Sequence, residues 1–257
     1  MLGLGLAIEP AIWTLVFTML RVGAAFLVAP VFSSVSVPVT VRVSLTGAIG
    51  ILVMNAMPVP APTQVFALTT VLAAAAEILV GLALGFILQI AFAAPLVASE
   101  VIGTSMGIGF ATAINPQSGA STPALGNFLS ILMTLLFLSI DGHLVLVDLI
   151  LRSYTLLPPG EAWLGAAALR NIALFGGYAF LAGLLLALPV GFLLLSINLI
   201  VGMLSRSAPA LNLFAVGLPA SLLAGVVALF VAMPAMGEYM LVVIREALDA
   251  TQTLVLG

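Results

Sequence analysis

Runs of apolar residues that continue far past ten positions leave this chain few ways to fold. Strands of a membrane barrel would show period-two alternation in short segments, whereas unbroken runs of this length read as helices. Helices that are apolar all round belong in lipid or deep inside protein. Composition sharpens the choice: 63% of the 257 residues are hydrophobic and 6% are charged, with a mean hydropathy of +1.37, whereas a soluble domain carries about 25% charged residues. At roughly 20 residues per crossing the apolar length suffices for about six or seven spanning helices and leaves little for a soluble domain. The chain reads as an all-α integral membrane protein.

Missing residue types remove several chemistries. Cysteine is absent, which excludes disulfides, thiolate metal sites and haem attachment. Lysine is absent too, so there is no Walker phosphate loop and no Schiff-base lysine. With His143 the one histidine, a zinc site would have to rest on carboxylates; neither a metal nor a cofactor is expected. A net charge of −3 gives no basic patch, and so no nucleic-acid partner. The first twenty residues hold Glu9 and no basic residue. They lack the positive region of a cleavable signal peptide, and the first apolar run is expected to stay.

In chain order, residues 11–32 form the first candidate helix, with Arg21 near its middle, where an arginine needs a carboxylate or carbonyl partner. Pro38 and Arg42 lie in the connection to a short second segment, 43–57. MPVPAP (57–62) then reads as a linker. Residues 66–94 form a long third segment carrying Glu77, with Gly81 and Gly85 at small-xxx-small spacing that lets another helix come close. Pro95 redirects the chain into 96–109, which holds a second carboxylate, Glu100. Residues 128–150 read as one helix with Asp141, Gly142, His143 and Asp148 in its C-terminal half. Tyr154 and Trp163 flank the following loop as interface anchors do. Two proline-bearing apolar arms, 172–204 and 213–243, with the polar tip RSAPALN between them, read as a kinked hairpin, and 238–256 as an amphipathic terminal helix.

Residues 99–119, SEVIGTSMGIGFATAINPQSG, break this pattern. Gly103, Gly107, Gly109 and Gly119 make the backbone permissive, and Asn115 with Pro116 should end any helix. Between them lie the apolar Met106, Ile108, Phe110 and Ile114. Soft apolar groups on a bendable backbone suit a dry constriction that seals a pore. A re-entrant turn packed in protein fits the same residues.

Two other chemistries can be written on the chain. Gly103–Gly107 satisfies G-x-S-x-G, which would make Ser105 a nucleophile with His143 as base in an intramembrane serine protease; the pattern lacks its strand–turn–helix context. Glu77, Glu100 and Asp141 are the candidates for proton coupling in a secondary transporter. Asp141, His143 and Asp148 form either a proton relay or a helix end reaching solvent.

The motifs RVGAAFLVAPVF with Pro38 and Arg42, Glu77 with Gly81 and Gly85, Asp141-Gly142-His143, the segment 153–160 ending LPPG, and PALNLFAVGLP (209–219) occur in an order that resembles the FliR family. That family is the R subunit of the flagellar export gate, shared with virulence type III secretion systems. The resemblance covers nearly the whole chain. It implies a P-subunit-like part, 1–165, containing a plug loop at about 103–119, joined to a Q-subunit-like hairpin, 166–257. It implies assembly with FliP-like and FliQ-like subunits and an FlhB-like export component, in the bacterial inner membrane at the flagellar basal body. Unfolded export substrates would pass through the channel, and catalysis is not required. Met106, Ile108, Phe110 and Ile114 would seal that channel, with Gly103, Gly107, Gly109 and Pro116 as hinges. Ala113 and Asn115 depart from an aromatic and an acidic residue common in the family. Arg21, Glu77, Glu100, Asp141, Asn212, Phe214 and Pro219 would make polar or subunit contacts, the mid-segment charges finding partners on neighbouring subunits.

Overall fold

The computed structural model describes residues 3–57, 59, 67–108, 123–160, 163–207 and 213–256, and these form eight α-helices. They are α1 (Gly3–Val28), α2 (Val39–Ala56), α3 (Leu68–Phe92), α4 (Ala94–Ser105), α5 (Pro123–Ser139), α6 (Gly142–Leu156), α7 (Ala166–Ser207) and α8 (Leu213–Leu256). Five helical stretches among the described residues are long and apolar enough to cross a bilayer, or six if α5 and α6 count as one broken span. The protein is therefore a multi-pass membrane protein of helices, as the apolar runs require.

Local chemistry explains where the helix ends differ from expectation. α1 begins earlier than residue 11 and runs through Pro10. It stops at Val28 because Pro30 follows and Val31 adopts φ 71°, a left-handed conformation that is strained for a β-branched residue. Phe26 and Phe32 stack across this turn with ring centroids 4.2 Å apart. α2 is longer than the short segment expected, because Pro38 starts it four residues sooner; proline's fixed φ suits a helix start. The expected helix over 128–150 is two helices. Asp141 takes φ 56° just before Gly142, and Asp-Gly is a turn signal that hydrophobicity alone overrides. The separate terminal helix is instead the end of α8.

α7 has 42 residues and α8 has 44, and helix continues through Pro189, Pro219 and Pro234. At about 1.5 Å per residue each exceeds 60 Å, twice the roughly 30 Å hydrocarbon layer. Neither helix fits within that layer along its whole length unless it is steeply tilted or bent.

Contacts gather the chain into two compact units, each drawing on both sides of Ala166: residues 1–90, 140–176 and 245–257 in the first, and 91–139 and 177–244 in the second. In the first unit α1 packs along α2, where Gly50 lies under Leu15, Thr18 and Met19. α1 also meets α3 backbone to backbone. A Cβ at Gly81 would collide with the carbonyl of Arg21, and one at Gly85 would lie 2.5 Å from the carbonyl of Ala25. The small-xxx-small pair thus serves close approach. In the second unit α4 is the buried centre, with Ala94, Pro95, Ala98, Ser99, Ile102 and Gly103 all buried. Phe92 meets Phe137 of α5 edge-on at 5.5 Å.

This seam predicts an asymmetry among glycines. Gly81→Ala, which forces α1 and α3 apart, should cost about 1–3 kcal/mol of stability. Gly176→Ala, where an added Cβ meets nothing within 4 Å, should leave the melting temperature of the detergent-solubilised chain unchanged or raised. Equal melting of the two variants, followed by circular dichroism, would contradict the seam.

Candidate functional site

Arg21 of α1 is fully buried, as is Glu77 of α3. An unpaired charge in this setting is prohibitively costly, so the guanidinium must find acceptors for every N–H. It finds five. Nε donates to Glu77 Oε2 at 2.8 Å and Nη2 to Glu77 Oε1 at 3.0 Å, a two-pronged pair. Nη1 donates to the carbonyl of Ser153 at 2.7 Å and to its Oγ at 3.0 Å, and Nη2 to the carbonyl of Leu157 at 2.9 Å.

Both carbonyls lie at the C-terminal end of α6, where the helix dipole favours a cation; that of Ser153 also accepts the N–H of Leu157 at 2.9 Å. Arg21 is thus a helix cap supplied by another helix. Its Cζ also lies 4.2 Å from the centre of the Tyr154 ring, within cation–π range. The Tyr154 hydroxyl donates to the carbonyl of Thr18 at 2.6 Å. Glu77 gains a further donor, the backbone N–H of Gly160 at 3.2 Å. Gly160 sits at φ +92°, a conformation that glycine adopts without strain; this accounts for the glycine that ends LPPG. Three separate sequence motifs therefore meet at one polar node.

Two expectations need correction. Arg21 and Glu77 find partners in their own chain, because α1 and α3 approach closely enough at Gly81 for the pair to form. Tyr154 lies within α6 and is buried against α1, so it is not an exposed anchor on the loop. Sequence reading missed Ser153 and the carbonyl of Leu157; a carbonyl acceptor has no residue signature, while the LPP that follows the helix does mark its end.

The other polar candidates lie apart from this node. Arg42 Nη2 donates to the carbonyls of Ser34 and Val37 at 2.8 and 3.1 Å, tying down the turn between α1 and α2. Asp141 is exposed where α6 begins, and Asp148 pairs with Arg152 one turn on at 2.7 Å, both side chains exposed. Both carboxylates are thus solvated, whereas Nδ1 of the half-buried His143 has no hydrogen-bond partner among the described residues. Glu100 is exposed on α4, and Pro219 is exposed on α8, with Phe214 in the first turn of α8.

The opening part of the 99–119 stretch is ordered helix. Gly103 lies buried inside α4, and the chain leaves the helix through Met106. The N–H of Ile108 bonds the carbonyl of Gly103 at 3.0 Å, that of Gly107 bonds the carbonyl of Thr104 at 3.1 Å, and Gly107 has φ 79°. This is a Schellman cap, which requires a left-handed residue where Gly107 stands. Met106 is buried and Ile108 half-buried. Ser105 Oγ donates to the carbonyl of Val101 at 2.7 Å, a back-bond that engages the hydroxyl a protease would need. Gly109, Phe110, Ile114, Pro116 and Asn212 lie outside the described residues.

The node gives a stability prediction. Arg21→Met leaves Glu77 buried and unpaired and should cost about 3–5 kcal/mol, seen as loss of folded protein in detergent. Pairing it with Glu77→Leu should restore much of the loss, because the stranded charge is then gone. A double variant no better than the single one would show that the carbonyls of Ser153 and Leu157 dominate.

Comparison with known proteins places these features. Residues 12–247 match the family described as bacterial export proteins, family 1. The chain is 38% identical over 221 residues to the flagellar biosynthetic protein FliR of Escherichia coli strain K12, covering 86% of this chain and 84% of that one. It is 39% identical over 214 residues to FliR of Pectobacterium carotovorum, covering 83% and 82%. To FliR of Bacillus subtilis strain 168 it is 30% identical over 236 residues, covering 90% and 89%. Matched over nearly its whole length, with motifs that converge on one buried node, the chain belongs to bacterial export proteins, family 1, together with the FliR proteins.

Proposed function

We propose that this chain is a non-enzymatic subunit of a type III protein export gate. In this reading it forms, with FliP-like and FliQ-like subunits and in contact with an FlhB-like component, the inner-membrane channel that passes unfolded proteins at the flagellar basal body. The observation that carries the reading is family membership over residues 12–247. The relatives' name, flagellar biosynthetic protein, favours the flagellum over an injectisome.

The surface supports assembly in a membrane. α7 and α8 turn large apolar side chains outward, among them Phe180 at 70%, Phe192 at 70% and Phe230 at 82% exposure. Such faces suit lipid and the apolar helices of neighbouring subunits. The proton-coupled alternative loses its best-placed carboxylate, since Glu77 is held by two guanidinium bonds and a backbone N–H.

The stretch 103–119 is the channel seal, with Met106, Ile108, Phe110 and Ile114 supplying apolar closure and Gly103, Gly107, Gly109 and Pro116 the bends. Division into a P-like part, 1–165, and a Q-like hairpin, 166–257, makes Asn212, Phe214 and Pro219 a subunit contact at the hairpin tip. Deleting residues 107–117 should let ions leak through membranes carrying the co-expressed complex while its native mass stays unchanged. Unchanged conductance in a complex of that mass overturns the seal; a stable monomer that ignores P-type and Q-type partners overturns the gate.

A further inference from the structure

Three stretches of the first unit that are far apart in the chain enclose a cavity of about 640 Å³: the end of α6 and the start of α7 with Trp163 just before it, the last two turns of α8, and Ile87 of α3. Ile87 and Val255 are buried and form its floor, while Trp163, Asn171 and Thr253 are exposed and stand at its mouth. The half-buried Leu157, Leu164, Ile172, Phe175 and Leu254 make the wall between them apolar. Its few polar groups differ in what they can still bind. The hydroxyl of Thr253 donates to the carbonyl of Asp249 at 2.9 Å, so it has no proton left to offer. The carbonyl of Leu157 is taken by Arg21. The indole N–H of Trp163 and the amide of Asn171 make no hydrogen bond to any other described residue, and both are free at the mouth.

Such a cavity suits a ligand that is apolar over most of its length and carries hydrogen-bond acceptors at one end. Water does not match it, because apolar cavities stay dry. A helix of a neighbouring subunit does not match it either: at roughly 10–12 Å across, little more than one turn would fit in this volume. A lipid tail does, and the volume lies within the roughly 300–1,000 Å³ of sites that take one small ligand. We propose that the cavity binds one membrane phospholipid, with an acyl chain against Leu157, Ile172 and Phe175 and the ester and phosphate oxygens at Trp163 and Asn171. Tryptophan favours the headgroup level of a bilayer. Arg170, exposed one residue before Asn171, puts a positive charge beside the phosphate. Lipid surrounds any multi-pass protein, so the ligand is at hand. The tail packs the start of α7 against the end of α8. The site depends on the membrane fold alone and not on the export reading.

The full chain, extracted from membranes in mild detergent, should keep one phospholipid as a mass adduct in native mass spectrometry. Ala168→Phe with Ala250→Phe fills the cavity from two walls and should shed the adduct, whereas Leu184→Phe, on an exposed face of α7, should keep it. Asn171→Leu removes a donor at an exposed position without filling the cavity. In titrations of the delipidated chain with phosphatidylglycerol it should weaken binding about fivefold, as loss of one ordinary hydrogen bond does. Should the filled chain fail to fold by circular dichroism, Asn171→Leu carries the test. A chain that retains no phospholipid, retains a free fatty acid instead, or retains phospholipid equally with the cavity filled overturns the site, as does unchanged affinity in Asn171→Leu. Lipid lost on co-expression with P-type and Q-type partners would mean that a subunit takes the cavity, which overturns it too. The gate itself is tested separately, by the native mass of the co-expressed complex.

Discussion

Five N–H groups on one buried guanidinium set the terms for the first unit. Arg21 cannot lose its charge and cannot reach bulk water, so the fold must bring acceptors to it. A carboxylate from α3 supplies two, and the end of α6 supplies three. Each set of acceptors thereby fixes an element: Glu77 fixes the depth of α3 along α1, while the carbonyls of Ser153 and Leu157 fix the end of α6 against Arg21. Buried ion pairs add little net stability over apolar packing, but they penalise every misaligned arrangement, because a shift of one turn strands a charge. The node therefore acts on register, the property that helices apolar all round specify poorly.

The guanidinium reaches these partners because side chains are missing elsewhere. Gly81 removes the Cβ that would strike the carbonyl of Arg21 itself, so the residue that carries the charge and the glycine that admits it to α3 lie at the same contact. In the second unit the same device is used around a shorter helix. α4 is only 12 residues long, too short to cross a bilayer, and three longer helices close on it through glycines. The packing in both units is of the backbone-close kind that membrane helices use when lipid removes the hydrophobic drive to associate.

That architecture explains why an export family can dispense with catalytic groups. The polar atoms of the node are saturated, and the serine of the G-x-S-x-G match is bonded to its own helix. What the chain offers outward is apolar surface on very long helices, together with a capped helix end from which a glycine-rich stretch departs. Shape and packing are what the described residues contribute.

The sequence by itself determined the membrane class, the helical content and the family, and marked Gly81 and Gly85 as a place where another helix could come close, because unbroken apolar runs, small-residue spacing and ordered motifs are all local signals; that the helix is α1 was decided by the tertiary structure. The sequence also marked Arg21 as needing a partner. It could not choose that partner, since Glu77, Glu100 and Asp141 all lay in apolar segments and were equally available on paper. Tertiary structure made the choice by bringing α1 and α3 into backbone contact, and by leaving Glu100 and Asp141 exposed. The break at Asp141 went unread because a hydrophobic run masks a two-residue turn signal. Ser153, the carbonyl of Leu157 and the space at Gly225 that Met106 fills were invisible for a related reason: a backbone acceptor and an absent side chain have no composition of their own, and only the close approach of another helix turns them into contacts.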